Sequence, residues 1–364
     1  MARAEQLPLT QAAAAEATRL RVRGRSWLWA GAAVVFLHAA FFTGVLVGPV
    51  DLGLAEIGRE AASHIPFLGV KSHLSDSDRA ILWQLRLPRV VLAGLVVALL
   101  SAAGATYQGV FRIPLADPYL LGVAAGAGLG ATIAIAYGHG ATAFNGDLLP
   151  LAAFGGGAIA VVVAYVLGRS AGAGRGPAAL VLAGVTVASF LTAVQTFVQQ
   201  QHSDTLQAVY TWILGRLDTA GWHDVLLLLP YAGVSAVALL LHRRLLDVLT
   251  LGDDEAKSLG INVARVRLVL VAAATLGTAA AVAVSGLIGF LGIIVPHAVR
   301  LVAGGSYRIV LPLSIVVGAG FLVFADVIAR TAMSPAELPI GVVTAFFGAP
   351  FFAIVLRTSR MVGP

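Results

Sequence analysis

No cysteine occurs in the 364 residues, so disulfides, thiol catalysis and cysteine-ligated metal are excluded. Charge is scarce as well: 12% of the chain is charged, about half the roughly 25% of an average soluble domain. The only lysines are Lys71 and Lys257, and neither follows a glycine. No G-x-x-x-x-G-K-[ST] loop is present, so nucleotide is not hydrolysed here by that route. No His-Glu-x-x-His pattern and no paired carboxylates at depth occur. The sequence therefore offers no catalytic residue and no metal-ligand set. Its net charge of +6 is spread over the ends of apolar runs, a topology signal rather than a nucleic-acid face.

Hydrophobic residues make up 59% of the chain, with 41 glycines and a mean hydropathy of +0.90. Small residues in that number suit the close approach of membrane helices. Apolar runs lie at 27–47, 90–111, 119–138, 148–168, 179–199, 224–242, 266–285, 286–299, 307–329 and 338–356. Most are near the ~20 residues that cross a ~30 Å hydrocarbon core as a helix. Run 286–299 is short and contains Pro296. Counting it as a span places seventeen of the 24 Lys/Arg inside; leaving it out lowers the number to fourteen. The positive-inside rule therefore favours ten spans with both termini cytoplasmic. The expected organisation is a cytoplasmic tail at 1–26, a spanning unit at 27–357 and a cytoplasmic tail at 358–364. Segment 49–84 is a polar excursion outside, with 52–65 expected as a short amphipathic helix on the outer surface. Glycines 122, 126, 128 and 130 lie in an apolar run with no preceding strand, which reads as helix packing rather than dinucleotide binding.

The most acidic cluster sits at 251–263 between two greasy runs. Asp253, Asp254 and Glu255 stand where a helix begins, matching its free amides and dipole, and Gly260 supplies the stop. A helix of about seven residues is too short to persist alone in water, so a soluble partner protein is expected to grip it.

Several motifs together carry a family resemblance. They are Arg86-Leu-Pro-Arg89, Tyr107-Gln108, Pro114-Leu-Ala-Asp-Pro118 with Leu121-Gly122-Val123, Gly252-Asp-Asp-Glu-Ala-Lys-Ser-Leu-Gly260, Ser285-Gly-Leu-Ile-Gly-Phe-Leu-Gly-Ile-Ile-Val-Pro-His297 and Glu337-Leu-Pro-Ile-Gly. In order and spacing over roughly 27–357, the chain resembles the FecCD-type permeases of iron-siderophore, haem and cobalamin ABC importers. The resemblance implies an all-α, ten-span type II importer permease of the bacterial cytoplasmic (inner) membrane. It implies a homodimer, with a heterodimer of paralogous permeases as the alternative. It also implies two cytoplasmic ATPases, which hold the ATP and Mg that this chain does not bind, and a periplasmic or lipid-anchored binding protein. Ferric siderophore, cobalamin and haem are the cargoes it leaves open.

Residue by residue, the resemblance makes Gly252, Asp253, Asp254, Glu255, Ala256, Lys257, Ser258, Leu259 and Gly260 the helix that seats in the ATPase. Arg86, Arg89 and Arg330, on the outer side against the inside bias, become docking points for glutamates of the binding protein; helix-end snorkelling is the plainer reading. Ile113 and Leu115 take positions that help close the inner gate, although the family's usual residue at the first is Asn. Loop 171–179 would face them. Gln108 and Gln195 either line the pathway or bond a neighbouring helix. Tyr107, Phe111 and Tyr119 are candidates to touch a flat macrocycle, with core or lipid contact as the default. Asp326 and Arg330, four apart on one helix, are placed to pair. The rival reading is an ion-coupled secondary transporter, which would be expected to keep acids deep in the bilayer; Asp326 is the one acid within the expected spans beyond their end residues.

Overall fold

The computed structural model describes residues 7–66, 70–138, 147–170 and 176–359. Its helices are α1 (Leu7–Leu46), α2 (Leu54–Ser63), α3 (Asp76–Ala80), α4 (Leu87–Phe111), α5 (Val123–Tyr137), α6 (Leu148–Ser170), α7 (Gly176–Gln201), α8 (Leu206–Ile213), α9 (Trp222–Leu249), α10 (Asp253–Ser258), α11 (Val263–Ser285), α12 (Leu291–Ala303), α13 (Tyr307–Thr331) and α14 (Ile340–Ser359). Among the described residues, seven helical stretches are long and apolar enough to cross a membrane, and α5, α12 and α14 supply three shorter apolar helices. Each of the ten corresponds to one expected run. Helix α1 begins well before residue 27, so the described part of the expected N-terminal tail is helical and continuous with the first span.

Helices α4 and α11 form the centre, with 78% of each span window buried, and α13 follows at 61%. Composition explains the position of α4. Its middle reads Ser-Ala-Ala-Gly-Ala-Thr over 101–106, and a side chain added at Gly104 would run into the backbone of Gly292 in α12. Backbones can meet there only because neither residue carries a side chain. The glycine string behaves the same way: Gly126 and Gly130 press on the α6 backbone at Gly156 and Ala152, the helix packing expected of it.

Two departures from simple spans matter for function. Between α4 and α5, residues 112–122 are not helical, and their second half, 117–122, lies along α7 between Gly184 and Thr192. That is about 12–24 Å along α7 from its start at 1.5 Å per residue, so the segment folds back into membrane depth. Between α11 and α12, residues 286–290 are also unwound, with Gly286 at φ +70 and Phe290 at φ +69. Irregular backbone at such depth has to find hydrogen bonds inside the protein. Tyr119 supplies them for one residue. Its hydroxyl donates to the Ile288 carbonyl at 3.0 Å and accepts from the Ile288 N–H at 3.2 Å.

The outer segment forms the expected helix, and its inward side carries an acid. In α2, Glu60 is fully buried while Leu54 is 69% exposed. The Glu60 carboxylate accepts from the Trp83 indole at 3.1 Å and pairs with Arg79 at 3.3 Å. It thereby pins α2 to the six-residue π-helical turn Ile81–Arg86, which runs straight into α4.

Candidate functional site

The inner face is organised by α10. Asp253, Asp254 and Glu255 occupy its first turn. Gly260, at φ +79, ends it, with its own N–H on Lys257 and that of Ile261 on Ala256. A left-handed stop of this kind suits glycine, which has no Cβ to strain. The helix divides sharply by side. Ala256 is fully buried, in one cluster with Leu246, Leu249, Phe111 and Ala116. Asp254 is 91% exposed and bonds Lys257 at 2.9 Å, and the lysine holds its carboxyl below the ordinary carboxylate range. Leu251 and Leu259 are also exposed. The helix is thus anchored by one alanine and leaves an apolar-and-acidic face open.

Asp253 points the other way. It accepts from Arg267 of α11 at 3.0 and 3.1 Å and pairs with Arg112 at the end of α4. Asp247, near the end of α9, accepts from the Tyr307 N–H at 2.6 Å and the Ser306 hydroxyl at 2.9 Å. Arg300 of α12 donates to Gln108 at 2.9 Å and to the Tyr307 hydroxyl at 3.1 Å. The inner ends of α4, α9, α11, α12 and α13 are thus tied into one polar belt around α10.

Ile113 is exposed and Leu115 half-buried, on the turn that directly follows Arg112. Of loop 171–179, residues 171–175 lie outside the described residues. Gln108 is buried and bonds α12, and Gln195 donates to Thr132 at 3.1 Å, so both serve helix contacts. Tyr107 is core, bonded to the Thr275 hydroxyl at 2.8 Å.

The three outer arginines differ in exposure from a row facing solvent. Arg86 and Arg330 turn inward. Arg86, 4% exposed, donates to the carbonyls of Val45 at 3.0 Å and Leu46 at 3.1 Å and also bonds that of Val50. It closes the end of α1, whose last carbonyls lack helical partners. Arg330, 2% exposed, bonds the Gly44 carbonyl and pairs with Asp326 at 3.5 Å. Arg89 forks between Asp326 and Glu337, each at 2.8 Å, and of the three it alone borders the surface. Asp326, 1% exposed on its side chain, is therefore the hub of a latch joining α4, α13 and the approach to α14. No sequence signal separated a buried latch from a surface row. The pairing of Asp326 with Arg330 was visible in their spacing; Arg89 and Glu337 join them only in space.

Asp117 enters the sequence reading only as part of the Pro114–Pro118 motif, with no role of its own, because it falls between two expected spans. It lies beside Gly184–Thr192 and accepts the Tyr119 N–H at 2.7 Å, holding the tyrosine that serves Ile288.

Comparisons agree with this architecture. Residues 36–358 match the model of the FecCD transport family. An uncharacterized ABC transporter permease protein, YvrB of Bacillus subtilis, is 38% identical, covering 93% of this chain and 96% of its own length. The cobalamin import system permease protein BtuC of Halobacterium salinarum is 36% identical over 92% and 96%. The iron(3+)-hydroxamate import system permease protein FhuB of Bacillus subtilis is 35% identical over 92% and 83%. A solved structure of an inward-facing metal-chelate type ABC transporter superposes with a TM-score of 0.79 at 26% identity, covering 91% of this chain and 99% of that one. With the matched span and the ten apolar helices in hand, the chain belongs to the FecCD transport family and is a multi-pass ABC importer permease of the bacterial membrane.

Proposed function

We propose that two copies of this chain form the import pathway, and that the ATPase activity, with its ATP and Mg, resides in two cytoplasmic subunits seated on α10. One observation carries this reading: a six-residue helix between two spans, held by the buried Ala256, that presents Asp254, Lys257 and Leu259 to solvent. Its net acidic, partly apolar face suits a basic-rimmed cleft. Tails 1–26 and 358–364 lie on the same cytoplasmic side.

On the outer side a binding protein delivers cargo. Arg89, with Glu337, forms the surface edge it meets, while Arg86 and Arg330 act from beneath by fixing α1 and α13. The inner gate is the turn bearing Ile113 and Leu115, an apolar constriction that shuts by excluding water. The cargo is a chelated metal compound, a ferric siderophore or a corrinoid ahead of haem. The names of relatives that import iron-hydroxamate, Fe(3+)-citrate and cobalamin support that class.

The test is reconstitution with the cognate ATPase, followed by ATP hydrolysis with a panel of loaded binding proteins. Stimulation by one chelate class identifies the cargo. Asp254→Arg is expected to lower stimulated hydrolysis by about tenfold or more, within the range of coupling between sites. Full transport with no ATPase present would end this reading.

A further inference from the structure

Arg112 stands where helices ordinarily end on glycine. It follows the last residue of α4 and adopts the left-handed conformation, φ 57 and ψ 33. Arginine there carries a steric cost that glycine avoids, so its side chain needs a compensating contact. That contact is Asp253, the first residue of α10, which Arg267 also grips. The next residue along the chain is Ile113, and the Ala116 N–H closes the turn on the Ile113 carbonyl at 3.1 Å. Beneath the ion pair, Ala256 of α10 shares a buried cluster with Phe111 and Ala116, on either side of the turn. Gly109, one turn back in α4, packs tightly against Leu246 of α9 and Tyr307 of α13, where an added Cβ would come within 3.0 Å of both.

We infer that Arg112 is a positioning residue that makes α10 and the turn 112–116 one mechanical unit, so that displacement of α10 moves Ile113 and Leu115 directly. The inference rests on the ATPase-coupling and gate roles proposed above and adds the physical link between them. A packed cluster resists compression along its length, and the pair with Asp253 resists separation, so push and pull are both transmitted. The other cation on Asp253, Arg267, anchors the same carboxylate to α11, which fixes the lever's fulcrum rather than the gate.

A structural role and a coupling role predict different results for Arg112→Gly. Glycine relieves the left-handed strain and keeps the helix end, so the melting temperature should hold or rise. Transport per ATP hydrolysed, measured in proteoliposomes with the ATPase and a loaded binding protein, should fall by about tenfold or more, with stimulated hydrolysis retained. Arg112→Lys, which restores the charge, should recover most of the coupling. The natural absence of cysteine permits a second measurement should the glycine variant fold poorly. Bridging Arg112→Cys with Asp253→Cys by a short bis-thiol reagent should restore the coupling that the unbridged double variant lacks. Unchanged transport per ATP in Arg112→Gly, or no recovery on bridging, overturns the inference. Asp254→Arg separates the two levels. If it abolishes stimulation while Arg112→Gly has no effect, only the link fails; if neither variant has an effect, the coupling role of α10 fails as well.

Discussion

The Tyr119 hydroxyl serves both backbone groups of Ile288, donating to its carbonyl and accepting from its N–H. One side chain thus ties the unwound turn before α5 to the unwound turn before α12. Asp117 steadies it by accepting the Tyr119 N–H at 2.7 Å. Removing the hydroxyl strands a donor and an acceptor where no water replaces them. Tyr119→Phe is expected to cost about 1–3 kcal/mol, read as a lower melting temperature in detergent. Tyr107→Phe, which leaves only the Thr275 hydroxyl without its partner, should cost less.

Asp326 is buried between Arg89 and Arg330. Taking away the shared carboxylate leaves Arg330 buried with only the Gly44 carbonyl, beside an Arg89 that keeps Glu337. Asp326→Ala should therefore destabilise by about 3–5 kcal/mol, the scale for breaking a buried ion pair from one side. Glu337→Ala, at the surface end of the same network, should cost about 0–1 kcal/mol. Thermal unfolding of the two variants side by side checks the ranking, and equal effects would contradict the latch.

Glu60 gives the outer segment a pH response. Its carboxyl lies below the ordinary value of 4.5, chiefly through a hydrogen bond from Ser72, with Trp83 and Arg79 adding to it against the penalty of burial. A depressed folded-state value means the stabilisation is complete above the unfolded value and is lost as pH falls through the folded one. Melting temperature should hold down to about pH 4.5 and then decline. Glu60→Gln should be less stable at neutral pH and show a flatter acid limb.

Gly104 meets the backbone of Gly292 with no space for a Cβ. Gly104→Ala is expected to force α4 from α12 and to cost about 1–3 kcal/mol or more, visible as reduced folded yield and melting temperature. Gly155, around which nothing lies within 4 Å, is the matched control and should accept alanine with little change.

The spans were legible because each apolar run had to bury its backbone polar groups within itself, and length and hydrophobicity alone report that. The same holds for α10, whose acids and closing glycine mark its ends locally. Run 286–299 was harder. It was too short to stand as a straight span, and the structure begins its helix at Leu291 after an unwound turn. The buried side of α2 was not legible, for a related reason. Alternation of polar and apolar residues locates a face but cannot tell that Trp83 and Arg79 wait to receive Glu60.

By itself the sequence determined the membrane setting, the ten apolar helices, the family motifs and the short acidic helix between α9 and α11. These follow from composition and near-neighbour spacing, and each element carries its own evidence. Tertiary structure alone decided that Arg86 and Arg330 turn inward, that Asp117 and Tyr119 return to membrane depth, and that Arg112 reaches Asp253. Those outcomes depend on partners up to 286 residues away along the chain. An arginine at a helix end can stay exposed at little cost, and turns inward only where the carbonyl or carboxylate that receives it has been brought alongside, because an unpaired buried charge is costly.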